Sequence, residues 1–185
     1  MSLRLTNLPI EGLILIERQP KGDSRGFLTR IFCAEALSEA GWNKPIIQIN
    51  HTYTSLSGTV RGMHYQKKPY SEMKLVTCIR GLVWDVAIDL RKNSPTFLQW
   101  NAEYLSAENS KALLIPEGFA HGYQALSNDV ELLYCHSASH NLESEAGLNA
   151  RDPSLGINWP LEITEISKRD SMNTLIDSEF SGVNL

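Results

Sequence analysis

What the 185-residue sequence lacks narrows it first. No run approaches the roughly 18 consecutive apolar residues that a membrane helix needs, and the opening MSLRLTNLPIEG carries no long apolar segment of the secretory type. Cysteine is scarce. Cys33, Cys78 and Cys135 are odd in number, widely spaced and without any CxxC, so neither a disulfide framework nor a thiolate zinc site is indicated and reduced, mostly buried thiols are expected. Basic residues are outnumbered, 17 against 21 acidic, and a net charge of −4 leaves no positive stripe to neutralise a phosphate backbone. General nucleic-acid binding is thereby disfavoured, although a few local arginines suffice for a small anion. Internal repeats, low-complexity tracts and linkers are also missing. With 42% apolar content the chain can bury one core, so a single domain over 1–185 is expected, soluble, cytoplasmic and without a membrane partner.

What is present is mostly strand. LILIE at 13–17 is followed by the turn-forming PKGDSRG, and FLTRIF at 27–32 reads as a second strand. The one convincing helix in the first half is AEALSEAG, about two turns closed by Gly41. IIQINHTYTS at 46–55 alternates, with Ile47, Ile49, His51 and Tyr53 on one face and Gln48, Asn50 and Thr52 on the other. TVRGMHYQ, MKLVTCI, GLVWDVAIDL, FLQWNAEYL, KALLIPEGFAHGYQAL and VELLYCHSAS continue the pattern at short intervals, separated by Pro- and Gly-bearing turns. The series predicts an all-β sandwich or jelly roll with a few short peripheral helices. From 140 to 185 the chain reads as loop, placed across one mouth of the barrel.

The chemistry concentrates between residues 59 and 91. His64 is the leading candidate, the alternative being an ordinary histidine hydrogen-bonded in the wall. Strict alternation places Arg61 and His64 on opposite faces unless Gly62 marks a bulge. A metal site needs three or four converging ligands; the stretch offers His64, with Glu72 in a loop, and His121 of GFAHG would be a second ligand, but a third is missing, so no metal is expected. Acid–base work needs a carboxylate to fix the imidazole tautomer, and Asp85, Asp89 and Asp170 are the candidates. Asp89 and Arg91 read as an exposed strand end.

Taken in order, GDSRGF, QINHTYTSLSGTVRGMHYQ, KLV, GLVWDVAIDLRKNSPTF, IPEGFAHGYQALS, DPSLGINWP and SKRD resemble the dTDP-4-dehydrorhamnose 3,5-epimerase family across nearly the whole chain. The resemblance implies a cupin-type jelly roll without metal or other cofactor. It further implies a homodimer that binds a nucleotide sugar and inverts the carbons beside a 4-ketone. By position, it makes His64 the base, Asp170 its orienting carboxylate, and Lys74 and Arg61 the cations near the sugar oxygen. Arg25 corresponds to a nucleotide-binding arginine that can reach a neighbouring subunit's site, and Gln48, Asn50 and His121 to pocket-lining positions. Where the pattern has a tyrosine acid shortly before a proline, the alignment sets His140 and Leu142, while Tyr134 matches a different, earlier tyrosine, and His140 becomes a candidate acid. Arg30 and Ala150 also depart from the pattern. Four readings therefore stay open: a double epimerase, a single-centre epimerase or ketoisomerase on a dTDP- or CDP-linked deoxysugar, a catalytically silent nucleotide-sugar-binding module and, last, a metal-dependent cupin enzyme.

Overall fold

The computed structural model describes residues 2–185. Its strands are β1 (Leu3–Asn7), β2 (Ile14–Arg18), β3 (Lys21–Asp23), β4 (Gly26–Leu28), β5 (Gln48–Thr54), β6 (Thr59–Gln66), β7 (Lys74–Arg80), β8 (Leu82–Asp89), β9 (Trp100–Ser106), β10 (Lys111–Ile115), β11 (Phe119–Ala125), β12 (Val130–His136), β13 (Glu145–Gly147) and β14 (Glu165–Ile166). Two short helices, α1 (Ala34–Ser38) and α2 (Lys168–Ser171), complete it. Sheet I runs β1-β2-β10-β7-β12-β5 and sheet II runs β13-β6-β11-β8-β9, with β14 added parallel to β6. From β5 to β8 the chain crosses between the sheets at every connection, the alternation of a jelly roll. Among the described residues no helix is long and apolar enough to cross a membrane.

Period-two alternation explains where each side chain goes. On β8, Val83, Asp85 and Ala87 point between the sheets, while Trp84, Val86 and Ile88 point outward. On β12, Val130 and Leu132 face inward and Tyr134 and His136 follow on that side, with Cys135 turned to the outer face. The space between the sheets is therefore apolar at one end and polar at the other. The polar end is open.

Both outer faces are covered over their central strands, which is why so many of those strands are buried on both sides. Leu37 of α1, with Trp42 and Phe32, packs on the outside of sheet I, the two aromatic rings meeting edge to face at 5.4 Å. On sheet II the cover is the C-terminal segment. Trp84 stands edge-on to Trp100 and Trp159, and the indole N–H groups of Trp100 and Trp159 donate to the carbonyls of Leu155 and Ala150. Pairs of this kind add about 0.5–1.5 kcal/mol each beyond the area they bury.

Several expectations change here. Most of the 140–185 segment lies on the outer face of sheet II, because that face is too apolar to leave wet; His140, Glu145 and the stretch from Glu165 to Asp170 reach the mouth. FLTRIF forms strand only at its first two residues, in the exposed β3–β4 hairpin, and Phe32 turns into the outer core. Asp89 is not an exposed strand end but fully buried, accepting from the Arg91 backbone and guanidinium and from the Ser94 and Thr96 hydroxyls. Strand β1 carried no clear signal in the sequence.

Candidate active site

The polar end of the sandwich holds a cavity of about 560 Å³, within the range typical of small-molecule sites. Sheet I contributes Gln48, Asn50 and Thr52 from β5, Lys74 from β7, and Tyr134 and His136 from β12. Sheet II contributes Arg61 and His64 from β6 and His121 from β11. The alternating polar face of β5 therefore looks into the cavity, while Ile47, Ile49 and Tyr53 are the exposed side of this edge strand.

Gly62 settles the orientation of Arg61 and His64. The register of β6 against β11 pairs His64 with His121 and Arg61 with Tyr123, three residues of β6 against two of β11, which is a bulge. The bulge turns Arg61 and His64 to the same side. Only glycine fits: its φ is +124°, and a Cβ would lie 2.5 Å from the Gly122 Cα and 2.8 Å from the His121 carbonyl oxygen.

Of the three candidate carboxylates, Asp170 meets His64, with its Oδ1 2.7 Å from Nε2. Its second oxygen accepts the Gly62 N–H at 3.3 Å, and its own amide donates to Ser167 Oγ, the N-cap of α2. Burial by itself raises this carboxyl, but the bonds and charge of His64, with Gly62 and Ser167, outweigh it and hold the group below its ordinary value. With Nε2 committed to Asp170, Nδ1 is the nitrogen left for the cavity. Asp85 is paired instead with His121, its oxygens 3.0 and 3.1 Å from Nε2, and both groups are buried in the floor.

On the facing wall Lys74 sets its ammonium 3.2 Å from Glu72 and 3.4 Å from the His64 carbonyl oxygen. Glu72 also meets His136 Nδ1 at 2.8 Å. Burial pushes Glu72 up, but His136 and Lys74 together leave it below its ordinary value. Arg61 is tied to β5, donating to Thr54 Oγ1 and the Tyr53 carbonyl at 3.0 and 3.1 Å. Tyr134 is buried; its ring stacks on His136 at 5.9 Å and stands edge-on to His121 at 5.8 Å. Burial holds its phenol well above the usual range, so it carries its proton at neutral pH.

The remaining expected residues lie elsewhere. His140 is on the rim, half exposed, with Nε2 3.1 Å from Glu145, a carboxylate that Arg169 also holds. Arg25 is outside the cavity altogether, on the β3–β4 turn and paired with Asp23 at 2.6 Å. Ala150 is buried in the outer core of sheet II. Tyr134 and His136 are among the cavity residues that sequence reasoning did not assign to the site, and Glu72 was weighed there only as a metal ligand. Alternation in VELLYCH places Tyr134 and His136 on one face and was a usable signal; Glu72 sits in a loop, where no periodicity says which way a side chain points.

Comparison with known proteins agrees with this geometry. The profile of the dTDP-4-dehydrorhamnose 3,5-epimerase family matches residues 7–178. A dTDP-4-dehydrorhamnose 3,5-epimerase of Shigella flexneri is 40% identical over 171 residues, 92% of this chain and 93% of that protein. The crystal structure of dTDP-6-deoxy-D-glucose-3,5-epimerase from Legionella pneumophila, in complex with dTDP-4-keto-L-rhamnose, superposes with a TM-score of 0.92 at 37% identity, covering 98% of each chain. ChmJ, a 3'-monoepimerase from Streptomyces bikiniensis solved as a double mutant with dTDP, gives 0.85 at 32% identity, covering 91% of this chain and 85% of that one. The cupin-like jelly roll and the motif order from end to end thus have one explanation: the chain belongs to the dTDP-4-dehydrorhamnose 3,5-epimerase family of isomerases.

Proposed function

We propose that the protein epimerises a dTDP-linked 4-keto-6-deoxyhexose at carbon beside the ketone, with His64 as base and Tyr134 as acid. The observation that carries this reading is the opposition of a carboxylate-oriented imidazole on sheet II and a protonated, buried phenol on sheet I, which is what inversion by removal on one face and return on the other requires. The C–H beside a ketone is weakly acidic, so proton removal is feasible only where the developing enolate oxygen meets preformed positive charge. Lys74 and, nearer the β5 end, Arg61 provide it, at about 3–4 kcal/mol for a well-placed donor. The double mutant of ChmJ replaces a histidine and a tyrosine seventy positions apart, the separation of His64 and Tyr134 here. His140, half exposed and engaged by Glu145, is the weaker acid candidate and serves better as part of the rim.

The active unit is a homodimer in this reading. Arg25 cannot serve its own cavity from the β3–β4 hairpin, and that hairpin shares the surface with the exposed apolar side chains Phe27 and Leu28, while β5 exposes Ile47 and Ile49 on an open sheet edge. A second copy would cover them and receive the arginine, whose fork suits a diphosphate. Three free thiols, two of them buried, fit a reducing cytoplasm.

The test is solvent deuterium uptake, followed by NMR, in dTDP-4-keto-6-deoxyglucose. Label at C3 and C5 identifies a double epimerase, and label at one carbon a single-centre enzyme. No exchange with folded protein on either the dTDP or the CDP sugar rejects the epimerase reading in favour of a binding module.

A further inference from the structure

The wall facing His64 is wired in one direction. The His140 backbone N–H donates to Gln48 Oε1 at 2.9 Å, and Gln48 Nε2 donates to Asn50 Oδ1 at 2.9 Å. Asn50 Nδ2 then lies 3.4 Å from His136 Nε2, His136 Nδ1 lies 2.8 Å from Glu72 Oε2, and Glu72 Oε1 lies 3.2 Å from the Lys74 ammonium. Lys74 closes the chain on the His64 carbonyl oxygen at 3.4 Å.

Both ends are pinned by groups with no choice. A backbone N–H can only donate, so Gln48 must present its oxygen to His140 and its NH₂ to Asn50. Asn50 must then present its oxygen to Gln48 and its NH₂ to His136. A carboxylate can only accept, so Glu72 accepts a hydrogen bond from His136 Nδ1–H on one oxygen and from the Lys74 ammonium on the other. The low position of the Glu72 carboxyl keeps it ionised at neutral pH. His136 is thereby left as the Nδ1–H tautomer with a bare Nε2.

We infer that Glu72 and His136 are positioning residues that set the cavity wall as a row of donors, and so fix its recognition of an oxygen acceptor. Gln48 and Asn50 each keep one N–H bond unused. Lys74 keeps one of three. All three side chains line the cavity, and its titratable neighbours His64, His121 and His140 are each held by their own carboxylate, so none competes for Glu72. A row of free N–H bonds fits the ketone oxygen, and fits it better once it becomes an enolate. This inference rests on the proposed epimerase activity for its substrate, though not for the wiring itself.

The experiment has two arms. In protein with ¹⁵N-labelled histidine rings and no substrate, the resonance lost in the His136→Gln variant should show the Nδ1–H tautomer in the unmodified protein at neutral pH. In Glu72→Gln the amide offers one acceptor in place of two, and that pattern should change. In turnover, His136→Leu breaks the chain and should lower kcat by about 10- to 100-fold with little change in KM, the effect of a donor displaced from a developing charge. His136→Gln can accept from Asn50 and donate to Glu72, so it should recover most of that loss. An Nε2–H tautomer or an imidazolium in the unmodified protein overturns the inference. So does a His136→Gln variant that is folded but no better than His136→Leu. Because the tautomer is read without substrate, an inactive protein showing Nδ1–H would sink the epimerase reading alone and leave the wiring supported.

Discussion

Replacing Asp170 with asparagine tests the base most directly. Asp170 accepts from His64 Nε2 at 2.7 Å on one oxygen and from the Gly62 N–H at 3.3 Å on the other. Asparagine has one oxygen. If the buried Gly62 amide keeps it, the new NH₂ faces His64 and requires a bare Nε2, which moves the ring proton to Nδ1, the nitrogen that should abstract. The opposite arrangement preserves the tautomer but sets two donors face to face, at a cost of about 1–3 kcal/mol, so the competent state falls by roughly 5- to 150-fold. The imidazolium formed on proton abstraction also loses its counter-charge. That is worth about 4 kcal/mol at 4 Å and an effective dielectric near 20, less here because the His64 side chain is 33% exposed. Together the two effects predict a fall in kcat of about 10³- to 10⁴-fold, in line with carboxylate-to-amide changes behind other histidine bases. The assay is the rate of deuterium wash-in, with circular dichroism and a thermal melt to show that α2 and the tail stay in place. A folded Asp170→Asn protein within about tenfold of the parent would refute the tautomer argument.

Tyr134→Phe should remove return of the proton from the sheet I side: wash-in on the His64 face persists while formation of inverted sugar falls by about a hundredfold or more, and inverted product at the parental rate would reassign the acid. Gly62→Ala forces a Cβ into the Gly122 and His121 backbones at a left-handed φ, so it should destabilise by about 2–4 kcal/mol in urea unfolding and disorder Arg61 and His64; unchanged stability and activity would contradict the bulge. Asp89 is buried, which raises its carboxyl, but Arg91, Ser94 and Thr96 more than reverse that and hold it at about 2. A depressed folded value stabilises above the unfolded value near 4 and is lost as pH falls toward 2, so about 2 kcal/mol of stability should disappear across that window and be missing throughout in Asp89→Asn; identical pH slopes for the two proteins would count against it. If the proposed dimer forms through the β3–β4 hairpin, the parent protein should sediment as a dimer and Phe27→Asp should shift it to monomer and weaken substrate binding; a dimer unchanged by the substitution would move the interface elsewhere, and a monomeric parent would reject the dimer.

Much of the architecture could be read from periodicity alone. Strict alternation put Gln48, Asn50 and Thr52 on one face of β5, the one that lines the cavity, and the turn-punctuated apolar runs marked the sandwich strands. The order of the motifs was enough to indicate the family, and with it His64 and Asp170. The places where reading failed share a cause. Asp89 looked exposed because a carboxylate at a strand end usually is, and its five donors, from Arg91, Ser94 and Thr96, come from a loop whose path depends on Gly182 and Val183 far along the chain. The tail looked like a lid because its apolar residues lack period, and only the breadth of the apolar outer face of sheet II drew it there.

Sequence by itself therefore determined the all-β class and the polar face of β5, since each depends on neighbours two to four residues apart, whereas His64 and Asp170 were indicated only by the order of motifs along the whole chain. Tertiary structure alone brought Asp170 within 2.7 Å of His64 across 106 residues of chain, set Arg61 beside His64 through a one-residue bulge at Gly62, and made Glu72, His136 and Tyr134 part of the opposing wall. The physical reason is one of range. Backbone pleat is a local property, whereas the partner of a buried charge is chosen by whichever distant group the packed sheets bring within hydrogen-bonding distance.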